Sequence, residues 1–199
     1  MTTLNELFRL VIIANERGGD PSVAWKFSDP DGERSGKSGW SFGDSQFDTQ
    51  NNAQAIACLK ECGFTQEQID GVVKQTIDVK PLNALLFAHK DIIAKYDDAQ
   101  LSHCINSAVN FCEARKLPVT DTAALLMLSD TVNQYGSLGD GSAAYLGKLD
   151  HPITAEDILN MKLTWKYATA SKRGHDDTVR RYDNLIAIVS KADNGHIAV

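Results

Sequence analysis

What this sequence lacks narrows it quickly. Nowhere in its 199 residues is there a run of the ~18 apolar residues needed to cross a bilayer. The start, Met1-Thr2-Thr3-Leu4-Asn5-Glu6, has neither the basic region nor the small-residue cleavage site of a secretory signal. The apolar stretch from Leu7 to Ala14 is broken by Arg9 and followed by Glu16, so it reads as one helix face. These absences predict no membrane insertion and synthesis in the cytoplasm. Positive charge is in deficit, with a formal net charge of −6, so bulk electrostatics invite neither nucleic acid nor an anionic membrane surface. The local exception, Lys172, Arg173, Arg180 and Arg181, reads as a solvated helix face. Cysteine is scarce. Cys58, Cys62, Cys104 and Cys112 lie in helical patterns, and no nearby histidine completes a zinc set around the first two, so buried free thiols and no metal are expected.

Several catalytic signatures are missing too. There is no nucleotide-binding glycine loop, no His-Glu-x-x-His and no Gly-x-Ser-x-Gly, and no cofactor is expected. Gly139-Asp140-Gly141-Ser142 follows a helical segment rather than a strand. His175 with Asp176-Asp177 has no third ligand nearby and reads as the start of the last helix, and Asp97-Asp98 reads as a turn and helix cap. Internal repeats and low-complexity linkers are also absent.

What is present is mostly helix. Thr3 with Glu6, Thr65 with Gln68 and Thr154 with Asp157 have capping-box spacing. Leu4, Leu7, Phe8, Val11 and Ile12 follow a helical period that should stop at Gly18-Gly19. Further helices are expected from Asn51-Asn52 to Cys62, after Thr65, from Pro81 through Ile92-Ile93, and around Leu101 to Cys112. Others follow around Leu125 to Val132, from Thr154 through Trp165, and along Val179, Tyr182, Ile186 and Val189. Gly136 to Gly147 reads as a glycine-rich loop. Only residues from Ser28 to Phe47 differ in kind. Turn formers alternate there with Trp40, Phe42 and Phe47, predicting a short hairpin or irregular strand pair. With 43% hydrophobic and 23% charged residues, the whole is expected to be one α+β, predominantly helical domain over 1–199, with a β-like insert at about 28–48.

Two features bear on chemistry. Leu4, Phe8, Ile12 and Glu16 recur at intervals of four, which sets Glu16 at the edge of the buried stripe and in the last helical turn. Burial and the negative end of the helix dipole both disfavour a charged carboxylate there, the bias a general acid requires. The alternative is a glutamate that extends into water or pairs with Arg17. The second feature is Gly39 to Asp48, a dense mixture of aromatic, amide, hydroxyl and carboxylate groups of the sort that sugar sites use. If extended, it turns Phe42, Asp44 and Gln46 one way and Ser41, Gly43, Ser45 and Phe47 the other, unless turns at the glycines break the alternation.

A helix-ending glutamate followed by Ser41-Phe42-Gly43-x-x-Gln46-Phe47-Asp48 resembles the signature of goose-type lysozymes and the related lytic transglycosylases. The resemblance covers Glu16 to Asp48, about a sixth of the chain. It implies a lysozyme-like fold with a small β-hairpin lobe, and cleavage of the β-1,4 bond between N-acetylmuramic acid and N-acetylglucosamine in peptidoglycan glycan strands. It also implies Glu16 as the catalytic acid, Asp48 as an auxiliary carboxylate, and Ser41, Phe42 and Gln46 lining the cleft. By chain position alone Asp29, Asp31 and Asp44 are further carboxylate candidates, with Asp29 and Asp31 next in rank after Asp48, and Trp40 is a further aromatic contact. The turn Val132-Asn133-Gln134-Tyr135-Gly136 is similar to helical-lobe cleft segments of phage endolysins, which adds Gln134 and Tyr135 as substrate contacts. Two departures weigh against the transglycosylase branch: Arg17 stands where serine is usual, and Asp44-Ser45 where Leu-Met is usual. Hydrolysis is expected, with an anhydro-forming transglycosylase or a non-catalytic wall-binding protein as alternatives. A wall-degrading enzyme without an export signal would reach its substrate through a holin-type lesion, as a phage endolysin, or through a secretion apparatus, as an antibacterial effector with a cognate immunity protein.

Overall fold

The computed structural model describes residues 2–18, 20–29 and 38–193; Asp31 therefore lies outside the described residues. The chain forms two compact units, Glu16–Gln100 and Met1–Asn15 with Leu101–Val199. Among the described residues there are ten α-helices and a single two-stranded antiparallel sheet, an α+β arrangement dominated by helix.

The unit Glu16–Gln100 takes up the chain at the end of α1 (Leu4–Arg17), which stops at Gly18 in a left-handed conformation, φ +56°. A 3₁₀ turn, Pro21–Trp25, leads to Ser28, which forms an isolated antiparallel bridge with Ser41. Strands β1 (Ser41–Phe42) and β2 (Phe47–Asp48) pair with Ser41 opposite Asp48 and Phe42 opposite Phe47. Asn52 caps α2 (Ala53–Glu61), and Thr65 with Gln68 forms the capping box of α3 (Gln66–Val73). A 3₁₀ turn at Lys80–Leu82 precedes α4 (Asn83–Ala88) and α5 (Lys90–Arg115). The core gathers Phe27, Phe42 and Phe47 with Cys58, Leu59, Phe64, Leu86 and Ile93. Phe42 lies 5.7 Å from Phe27 and 5.8 Å from Phe47 between ring centroids. Burying such a ring contributes about 1.5–3 kcal/mol, so the two-residue strands are held by their aromatics more than by their few ladder bonds.

In the other unit, Leu7, Phe8, Val11 and Ile12 of α1 share a core with Leu101, Cys104 and Ala108 of α5. Helices α6 (Thr122–Tyr135), α7 (Asp140–Leu146), α8 (Ala155–Leu163), α9 (Lys166–Ala170) and α10 (Lys172–Asp193) complete it. Asp121 caps α6, and Gly136 ends it at φ +80°. Thr154 and Asp157 form the capping box of α8. All four cysteines are buried free thiols.

Four sequence-based expectations are corrected. Asp97-Asp98 is no cap but the interior of α5, because Lys90 to Arg115 contains neither glycine nor proline and the Asp97 side chain bonds outside its own helix. The helix expected from Pro81 through Ile93 is instead divided at His89. Residues 136–147 are not wholly a loop: the segment forms α7, which buries Ser142 and Leu146. The basic patch is only partly a solvated face, since Arg181 is buried against Asp130.

Candidate functional site

Glu16 is half-buried in the last turn of α1. Its neighbour Arg17 is buried and pairs with Asp44, Nη1 to Oδ1 2.9 Å. Asp44 belongs to the connection between β1 and β2, residues Gly43-Asp44-Ser45-Gln46. That connection is a tight turn rather than extended chain, so the expected alternation of side chains stops at Phe42. Gly43 has φ +80°, and a Cβ there would lie 3.0 Å from the Phe47 ring and 3.1 Å from Asp97 Oδ1. Glycine is required on both counts.

Gln46 closes the turn at φ +51°. Gln75 and Lys116 also have positive φ, but each sits just past a helix end, where a left-handed residue is common. The Gln46 side chain compensates locally: Nε2 donates to Gly43 O at 2.9 Å, and Oε1 accepts from Ser28 Oγ at 2.6 Å. Asp48 is similarly engaged. Its Oδ1 accepts the backbone N–H groups of Gly39 (3.0 Å), Gln50 (2.8 Å) and Asn51 (3.3 Å), and its Oδ2 accepts Asn51 Nδ2 at 2.7 Å. Both side chains shape the hairpin.

Beneath the turn lies a residue that sequence reasoning missed. Asp97 of α5 is fully buried; its Oδ2 accepts the Asp44 N–H at 3.0 Å and its Oδ1 the Ser45 N–H at 2.9 Å. Burial, reinforced by the nearby Asp44 carboxylate, pushes the Asp97 carboxyl up to about 6, although the hydrogen bonds from Asp44 and Ser45 oppose the shift. The available signal was an Asp-Asp pair inside an otherwise uninterrupted helical pattern, which local reading assigns to a cap.

The other sequence candidates are distributed as follows. Asp29 is half-buried and follows Ser28, the bridge partner of Ser41. Ser41 is buried in the ladder. Trp40 is half-buried, and its indole N–H is shielded from solvent with no acceptor among the described residues; the buried Thr49 hydroxyl likewise has no partner among them. Phe42, expected to line a cleft, has no exposed surface and belongs to the core, so it presents no face to a ligand. Glu16, Asp29, Trp40, Ser41, Phe42, Gln46 and Asp48 thus fall in one unit, while Gln134 and Tyr135 fall in the other. Tyr135 is partly exposed and meets Trp165 edge-on at 4.9 Å.

Among the described residues no cluster of three His, Cys, Asp or Glu side chains is placed to hold a metal ion, and no helix is long and apolar enough to cross a membrane. No family model, curated protein sequence or solved structure matches the chain.

Proposed function

We propose that the protein cuts the glycan strands of bacterial cell walls, with Glu16 protonating the bridging oxygen of the β-1,4 bond between N-acetylmuramic acid and N-acetylglucosamine. The observation that carries this reading is the buried Arg17–Asp44 ion pair. It ties the residue after Glu16 to the Gly43–Gln46 turn, so the two halves of the lysozyme-type signature are anchored to each other within one unit. A non-glycine residue held at positive φ away from any helix end, as Gln46 is, supports the same reading, because such strain gathers at functional sites. A lysozyme-like fold is part of this proposal, supported by the helix-dominated architecture with one short hairpin.

The hydrogen bonding also redistributes roles. Two carboxylates of the hairpin are already engaged: Asp44 is paired with Arg17, and Asp48 accepts four hydrogen bonds. We assign water activation to Asp29, which is half-buried and follows Ser28, the bridge partner of Ser41. The second reading, favoured by those same occupied carboxylates, is transglycosylation, in which a sugar hydroxyl attacks intramolecularly and Glu16 suffices. We further propose release by a phage holin, our preferred setting, or by a secretion apparatus with an immunity protein as partner.

Purified protein is expected to lower the turbidity of isolated peptidoglycan. E16Q should slow this by roughly 10²–10⁴-fold, the usual contribution of a general acid, with an unchanged circular dichroism spectrum. Full activity in E16Q removes the acid role. Protein that pellets with uncut peptidoglycan identifies a binding module instead. Mass spectrometry of the products separates the two reactions, because an anhydro end is one water lighter than a reducing end. Asp29→Asn should abolish only the hydrolytic product.

A further inference from the structure

We propose that Asp97 is a positioning residue of the Glu16 site: its buried carboxylate, by accepting the Asp44 and Ser45 backbone N–H groups, holds the Gly43–Gln46 turn in the conformation against which Glu16 works. This rests on the glycan-cleaving reading above. The mechanical path is short and continuous. Asp97 fixes the backbone of Asp44, the Asp44 side chain holds Arg17, and Arg17 is bonded in sequence to Glu16. Gly43 allows Asp97 to approach this closely, since a Cβ at that position would stand 3.1 Å from the carboxylate.

The ionised form of Asp97 does this best. Two backbone amides converge on two carboxylate oxygens, and such charge-assisted bonds are roughly twice as strong as neutral ones. A protonated carboxyl turns one oxygen into a donor facing an N–H and loses one of the two bonds. The charged and titratable groups that face Asp97 are few. Asp44 comes from the turn, with its negative charge offset by Arg17 of α1, and Cys58 comes from α2. The Cys58 thiol is raised by its hydrogen bond with Cys62 and by burial, and is neutral at ordinary pH. Nothing in this set supplies a cation directly to Asp97, so its protonation falls near pH 6. The turn is accordingly tight above that pH and loosened below it. The acid limb of the activity profile then belongs to Asp97, a group that never touches substrate.

Asp97→Asn tests this, because it has the shape of the protonated form at every pH. In the wild-type protein the amide resonances of Asp44 and Ser45 should titrate between pH 4.5 and 7.5 with a midpoint near 6, and in D97N they should not. Peptidoglycan cleavage by the wild type should decline below the same midpoint. In D97N it should lack that limb and run at about 1–10% of the wild-type rate at pH 7.5, the scale of loss for a slightly misplaced catalytic group, with KM little changed. Wild-type amides that do not titrate overturn the proposal even if D97N fails to fold. So does a D97N enzyme that keeps the wild-type rate or acid limb. If wild-type protein cuts no glycan at any pH, the functional reading fails, and the amide titration alone still decides whether Asp97 holds the turn.

Discussion

Asp130, Lys162 and Arg181 set two cations against one carboxylate in an interior almost closed to solvent. Arg181 donates to both Asp130 oxygens, from Nε at 3.0 Å and Nη2 at 2.6 Å, while Asn15 Nδ2 donates at 3.1 Å and Lys162 Nζ only at 3.5 Å. Burial works to raise the Asp130 carboxyl, but the charges of Arg181 and Lys162, with the hydrogen bonds from Arg181 and Asn15, outweigh it and hold the group down at about 2. Lys162 is less well served. Burial lowers its ammonium, and Asp130, shared with Arg181 at closer range, only partly offsets this. Removing the Asp130 charge takes a buried anion from both cations. Asp130→Asn should therefore cost about 3–5 kcal/mol in denaturant unfolding, whereas replacing all three residues by apolar ones of similar volume should recover most of it. A loss below about 1 kcal/mol for D130N would mean that the cluster is not ionised.

At the scale of elements, close backbone approaches matter more than propensity. Gly174 in the first turn of α10 is the sharpest case: a Cβ there would stand 2.0 Å from the Tyr167 carbonyl oxygen of α9. No flexible side chain stands at that contact, so the helices must part. Gly174→Ala, which raises helix propensity by about 1 kcal/mol, should nonetheless lower the melting temperature of the protein. A higher melting temperature would show that α9 yields freely. Helix α5 makes the complementary point. Two aspartates in its interior cost only a few tenths of a kcal/mol each in propensity, too little to end a helix with no glycine or proline.

For the protein as a whole, the buried carboxyls of Asp97 and Asp130 give opposite pH dependences. Asp97 binds its proton more tightly in the folded chain than in the unfolded one, because its carboxyl is raised from 3.8 to about 6. Folded protein thus holds more protons between these values, and stability should fall as pH rises through them, by at most about 3 kcal/mol at 1.4 kcal/mol per unit. Asp130 has the reverse sign. Its carboxyl is lowered from 3.8 to about 2, so its contribution is present above pH 4 and lost as pH falls toward 2. Urea unfolding as a function of pH should show stability declining from pH 4 to 6 in the wild type. In D97N that slope should flatten, and at pH 7 D97N should be at least as stable as the wild type despite its slower cleavage. An unchanged slope in D97N would place the titration elsewhere.

Local chemistry was legible in the sequence wherever a few adjacent residues suffice to decide the outcome. Thr3, Thr65 and Thr154 could be recognised as caps because the partner lies three residues on, and the stop at Gly18 because glycine reaches φ +56° at little cost. The helix-dominated class and the aromatic hairpin followed from periodicity and composition for the same reason. The partners of buried charges were not legible, since Asp97 meets Asp44 and Ser45 across more than fifty residues and Asp130 meets Arg181 across another 51. An aspartate pair in a helical run looks like a cap until the fold brings up the amides that its carboxylate serves. Likewise Phe42 looks like a binding face until Phe27 and Phe47 close over it, because burial is a property of the assembled core.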